Sequence, residues 1–363
     1  MKTHLIALVA FVAAGCEGSK PSVQPQASEA STTATLAGTA TSSPTERLSF
    51  TATPLPPATG DTSLDFIAYE PGAERIWIPN ARDAGYVDVY DIAKRAFTHV
   101  TGFGTKTAER KGKTRTQGPS SAAVGDGVIY VGDRGTSEIC PVDAKTLKVG
   151  TCLHLDAQPD CLTYVPSTKE LWVTTPSTKA VEILDAAKPD ALKRAASVAV
   201  DGEPEGFALD DARGLFYTNL EDKDRTLRID VKTRAVTATW SPACGEKGPR
   251  GLRVDGARGL VLVACTDHVQ ILDAAHDGAA RGKLETGDGV DDVEYVAGRK
   301  LLYVAASKAH RLTIARIGDD GSAAVVATGE TVDRARNAVV DASGEAFLVD
   351  PSGPRLLTFA PPK

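Results

Sequence analysis

The strongest constraint on this chain is a unit that returns seven times: an apolar-alternating segment, a turn built on Gly, Asp or Pro, and a hydrophobic strand. The copies read LDFIAYEPGAERIWIP, PSSAAVGDGVIYVG, PDCLTYVPSTKELWVT, PEGFALDDARGLFYT, PRGLRVDGARGLVLVA, VDDVEYVAGRKLLYVA and ARNAVVDASGEAFLVD. Alternation with period two sends successive side chains to opposite faces of an extended chain, and two such runs around a short turn make a hairpin. The large residue of the second strand falls at Trp77, Tyr130, Trp172, Phe216, Leu262, Tyr303 and Phe347, so six intervals cover 270 positions and the mean spacing is 45. A third strand closes on Asp in VDVYD, ICPVD, VEILD, TLRID and VQILD, and a fourth, such as AVTATW, shows in most copies. Four strands at that spacing make a propeller blade, and a blade buries its two faces only against neighbours. The fold class expected is all-β, a seven-bladed β-propeller of four-stranded blades over residues 46–363. Its last copy stops after a third strand, RLLTFA. The segment RLSFTAT, residues 47–53, is expected to close that blade as its outer strand, since open sheet edges are avoided.

Bulk properties narrow the function. A net charge of -6 lacks the clustered positive field that phosphate backbones require, so nucleic acid is not the expected partner. Lys2 and His4 precede LIALVAFVAAG, a run too short to span a bilayer, which reads as the core of a secretory leader over residues 1–15. It ends at AAGC. That ending resembles the lipobox of bacterial lipoproteins, in which the cysteine, here Cys16, is lipidated; the match departs at Ala13, where those boxes usually carry Leu. The alternative is an ordinary cleaved leader with an incidental cysteine. Residues 16–45, rich in Ser, Thr, Ala and Pro, cannot bury enough apolar surface to fold and read as a tether. The expected location is the cell envelope, lipid-anchored on the periplasmic side of either membrane or at the cell surface, as a monomer.

With the repeat in hand, the second-strand endings YVGD, YTNL and YVAA and the third strands ending in Asp resemble the YncE/YVTN propeller family from about residue 47 to 359. The resemblance implies architecture more than activity, because propellers serve as enzymes, receptors and scaffolds.

The first residue of each innermost strand should sit near the channel mouth, which selects Asp65, Ser120, Asp160, Glu205, Arg250, Asp291 and Arg336. Six of the seven are ionisable. Groups converging on one axis shift one another's protonation, and such a ring could hold a divalent cation or grip a small polar ligand or a protein through its arginines. A solvated mouth whose charges merely pair is the plain alternative. The ends of the second strands, with Asn80, Asp133, Arg134, Asn219, Glu221, Asp267, His268, Lys308 and His310, should reach the same polar face. The segment GPRGL resembles the Pro-Arg-His motif of propeller lactonases, with Gly251 in the histidine's place. Lactone opening would need a base, Glu205 or Asp160, and a positive group, Arg250. Three readings follow: a binding or interaction module, a lactonase-type hydrolase, and a purely structural envelope protein. No resident cofactor is expected.

An exported chain can keep disulfides. Cys140 and Cys152 flank a turn near Thr146 and should pair across a hairpin, while Cys244 and Cys265 should meet at one rim. Cys161 is left over, as a small buried thiol or, alternatively, a nucleophile or metal ligand; it could also compete with Cys140 for Cys152. The run TAERKGKT mimics a phosphate loop without its first glycine and belongs to an insertion, residues 105–116, that lengthens the first interval. That insertion, carrying Lys106, Arg110, Lys111, Lys113 and Arg115, reads as a basic loop. The acidic run EDKD at residues 221–224 lacks the pattern of a calcium loop and reads as a turn.

Overall fold

In the computed structural model the described residues are 45–57, 62–110 and 112–363. The leader, Cys16 and the tether up to residue 44 lie outside them. Seven blades of four antiparallel strands follow one another along the chain, and in the first six those strands run in sequence order from the axis outward. Blade four is representative, with strands Pro204–Asp210, Leu215–Leu220, Arg225–Asp230 and Val236–Trp240. Side chains from all seven innermost strands line one axial cavity of about 260 Å³, which fixes the blade count.

The seven large residues that mark the repeat are all sealed between blades, none more than 1% exposed. Each sits mid-strand, where the pleat aims it at the neighbouring sheet. Trp172 of blade three meets Phe216 of blade four with ring centroids 4.8 Å apart. Burying a side chain of this size contributes roughly 2–3 kcal/mol, and the same contact repeats around the ring.

Closure combines the two ends of the chain, with one departure from expectation. Phe50–Pro54 lies antiparallel on Arg355–Phe359 and completes blade seven, with Phe50 opposite Phe359. Glu46–Leu48, however, pairs in parallel with the outer strand of blade six, Ala323–Glu330. The expected single strand is therefore broken at Ser49, and its two halves stitch two blades together. The aromatic contact of Phe50 with Phe359, centroids 5.7 Å apart, anchors the second half.

The insertion is also more ordered than a loop. Lys106–Arg110 pairs with Lys113–Gln117 as a separate two-stranded hairpin between blades one and two. Both expected disulfides are formed: Cys140–Cys152 with Cα atoms 4.2 Å apart and Cys244–Cys265 with Cα atoms 5.1 Å apart. Cys161 remains a free, fully buried thiol.

Candidate functional site

Six of the seven residues selected by the repeat converge at the channel mouth. Asp65, Asp160, Glu205, Arg250, Asp291 and Arg336 line one cavity of about 320 Å³, and the walls of that cavity are charged throughout. In blades four, five and six the inner strand slips register at this level, between Glu205 and Ala208, Pro249 and Leu252, and Val290 and Val293. A bulge re-aims a side chain and ends pairing. Recurring three times in a row, it takes Arg250 and Asp291 out of the ladder and begins directly after Glu205, which still pairs with Asn219; all three line the mouth.

Ser120 is the exception. It is buried, and its hydroxyl donates to the Gly132 carbonyl of its own blade at 3.5 Å, while its carbonyl receives the backbone N–H groups of Asp65 and Phe66. It joins blades one and two and does not face the mouth cavity. Blade two supplies Arg134 instead, from just past the end of its second strand. The Arg134 guanidinium pairs with Asp65 at 2.8 Å and with Asp160, and its Nε donates to the Pro159 carbonyl at 3.2 Å.

The ring is wired by three arginines. Arg336 bridges Asp65 and Asp291, each at 3.1 Å. Between those two acids the Asn337 amide donates to the Asp65 carbonyl at 2.8 Å and to Asp291 at 3.3 Å. Arg250 faces Glu205 at 3.5 Å and pairs with Glu221. Asp222 and Lys247 complete the lining, giving six acids and four bases, a formal excess of two negative charges. Among the described residues, the one trio of potential metal ligands within 4.8 Å of one another is Glu138, Cys140 and Cys152, and both sulfurs are already joined in a disulfide. At the mouth, arginines separate the carboxylates.

Glu205 is the chemically distinctive member. Burial, reinforced by the nearby Asp291 carboxylate and opposed by Arg250, pushes its carboxyl from 4.5 up to about 7. A group poised there exchanges its proton at neutral pH. Next to it, burial pushes the Cys161 thiol well up, with Asp65 and Glu205 adding to the effect, so this cysteine is neither thiolate nor exposed.

Two glycines make the geometry possible. Gly248 has φ +66°, and a β-carbon there would collide with the Glu221 backbone, so only glycine lets the Lys247 loop pass close enough for Glu221 to reach Arg250. Cys244, at the start of that loop, is tied to Cys265, which holds it in place. At Gly251 a β-carbon would run into the Asp292 carboxylate, itself engaged by Arg253 at 3.0 Å. The histidine of the lactonase motif has no room here.

Of the second-strand endings, Arg134 and Glu221 reach the mouth cavity. Asn80 and Asn219 are buried in hydrogen bonds to Asp88 and Thr226, and Asp133 caps a turn through Gly135 and Thr136. Asp267 pairs with His268, Lys308 with Asp288, and His310 lies 3.9 Å from Asp333. The repeat offered no cue for Asp222 or Lys247, which stand on inter-strand loops outside the aligned segments.

The sequence matches no protein-family model and no curated protein. The fold, by contrast, is widely shared among solved structures. A chain of a mitotic checkpoint complex superposes with a TM-score of 0.70 at 11% identity, covering 99% of each chain. A catalytically inactive virginiamycin B lyase from Staphylococcus aureus with quinupristin gives 0.65 at 11% identity, covering 86% of this chain and 99% of the other. The WD40 repeats of RRP9 give 0.68 at 9% identity, covering 86% and 97%. At such identities the likeness is one of fold.

Proposed function

We propose that this chain is an exported propeller, tethered through lipidated Cys16 at the cell envelope, that binds a small polar ligand at its channel mouth. The observation that carries the reading is the recessed, fully charged cavity to which all seven blades contribute. Charges this close to an axis, held in pairs by arginine forks, offer directional contacts to a polar guest at little reorganisation cost. The rest of the surface supports the same choice. Among the described residues, the exposed large hydrophobic side chains are Val236 and Val325, on the outer strands of blades four and six and outside the mouth lining. The resemblance of the repeats to YncE/YVTN propellers is in keeping with an envelope binding protein.

Native mass spectrometry of the chain purified from its own membranes tests this. The expected result is a retained or exchangeable small polar ligand that is lost in Asp160→Asn/Arg250→Ala. A parent that carries none, and that binds none of a panel of polar metabolites, refutes it. Replacing Cys16 with Ala is expected to move the chain to the soluble fraction.

One observation favours a second reading, hydrolysis of a lactone: Glu205 near neutrality beside Arg250 gives a base and an oxyanion partner. Against it stands Gly251, where the motif histidine cannot fit. Hydrolysis of a lactone panel by the parent, abolished in Glu205→Gln, would support the enzyme; no turnover by the parent removes it.

A further inference from the structure

The base of the inserted hairpin forms, with blades one, two, six and seven, a second cavity of about 280 Å³ directly beside the mouth. Its charge has the opposite sign. Among the described residues that line it are four arginines, Arg115 from the hairpin, Arg134 from blade two, and Arg334 and Arg336 from the loop entering blade seven, and one acid, Asp65. The formal balance is therefore three positive charges in excess, against two negative in the mouth. Arg134 and Arg336 are partly neutralised by Asp65, Asp160 and Asp291. No ion pair joins Arg115 or Arg334 to any described carboxylate, although both are long enough to find one.

A further feature points to a ligand. Thr62 lines this cavity and is completely buried, yet its hydroxyl has no hydrogen-bond partner among the described residues. A buried hydroxyl left unmatched is costly unless something is there to accept from it. An anionic oxygen group supplies the acceptor that the hydroxyl lacks and the charge that the arginines lack. The volume suits a small guest, at the low end of ligand cavities.

We propose that this arginine-lined chamber is an anion subsite, taking a phosphate or carboxylate group between Arg115, Arg334 and the Thr62 hydroxyl. It stands apart from the reading of the mouth, because neither Arg115 nor Arg334 lines the mouth cavity. Both side chains are exposed and outside the core, so replacing them leaves the blades intact.

The test is isothermal titration of the full chain with inorganic phosphate and, separately, with succinate, at low salt. Parent protein is compared with Arg115→Ala/Arg334→Ala and with Thr62→Val. Saturable binding of either anion by the parent, weakened at least about tenfold in the double variant with the melting temperature unchanged, is expected; the arm that binds more tightly identifies the chemical class. Thr62→Val should weaken it several-fold without affecting folding. Failure of both anions to bind, or equal binding by parent and double variant, overturns the proposal. Glu221→Gln, whose partner Arg250 lines the mouth and not this chamber, should leave anion binding within about twofold; failure of the mouth reading therefore shows separately.

Discussion

Replacing Glu205 with Gln should make the protein more stable at alkaline pH and leave it unchanged in acid. In the folded chain the Glu205 carboxyl lies at about 7 against 4.5 for the ordinary group, because burial and Asp291 disfavour its charge more than Arg250 favours it. The folded state thus holds the proton more tightly than the unfolded one. The stability linked to that proton is fully present below about pH 4.5 and is lost as pH rises through 7. A displacement of this size corresponds to about 3 kcal/mol, and the Glu205 side chain, 17% exposed, is recessed enough for most of that to be felt. Gln keeps the shape and never ionises. At pH 4.5 parent and variant should unfold alike; at pH 8.5 the variant should be more stable by about 2–3 kcal/mol, or roughly 4 °C in melting temperature for a domain of this size. Asp133 and Asp292, also raised to about 6 by burial, tilt both proteins the same way and cancel in the difference. Urea unfolding followed by tryptophan fluorescence across that pH range measures it. Parallel pH profiles, or a variant weaker than the parent at pH 8.5, would refute the placement of Glu205 in a desolvated acid cluster.

Three further outcomes follow from the same geometry. Gly251→His should cost about 3 kcal/mol or more through overpacking against Asp292, visible as a lowered urea midpoint; a neutral substitution would contradict the contact. Cys244→Ser/Cys265→Ser should lose about 3 kcal/mol and, by freeing the Lys247 loop, weaken ligand binding at the mouth more than Cys140→Ser/Cys152→Ser does, as titration would reveal. Cys161 should resist alkylation by iodoacetamide at pH 8 in the folded protein and react once urea unfolds it; rapid labelling of native protein would place the thiol elsewhere.

The blades were legible because each one repeats the same physical demand. A strand that packs on both faces needs its largest residue at one fixed place, and Trp77 through Phe347 mark it. The same register carried the mouth residues, since equivalent starts of equivalent strands reach one axis. What the register could not convey was reach. Arg134 gains its position through a long side chain at the end of a second strand, whereas Ser120, at the equivalent inner start, is too short and satisfies itself within its own blade. Loops carry no register at all, so Asp222, Lys247 and Arg334 were invisible as neighbours. The hairpin of residues 106–117 escaped because its strands, KTAER and KTRTQ, hold no large apolar residue, and hydrophobic periodicity has nothing to detect. The break at Ser49 likewise follows from partners more than 270 positions away, at Ala327 and Phe359.

That break has a temporal consequence. Phe50 leaves the ribosome 309 residues ahead of its partner Phe359. At about 5–20 residues per second, the intervening chain takes roughly 15–60 s to synthesise. Throughout that wait Phe50–Pro54 has no Arg355–Phe359 to lie against, and its bare backbone is open to any passing strand. Premature termination anywhere before residue 355 would therefore yield not a slightly shortened protein but an unclasped one.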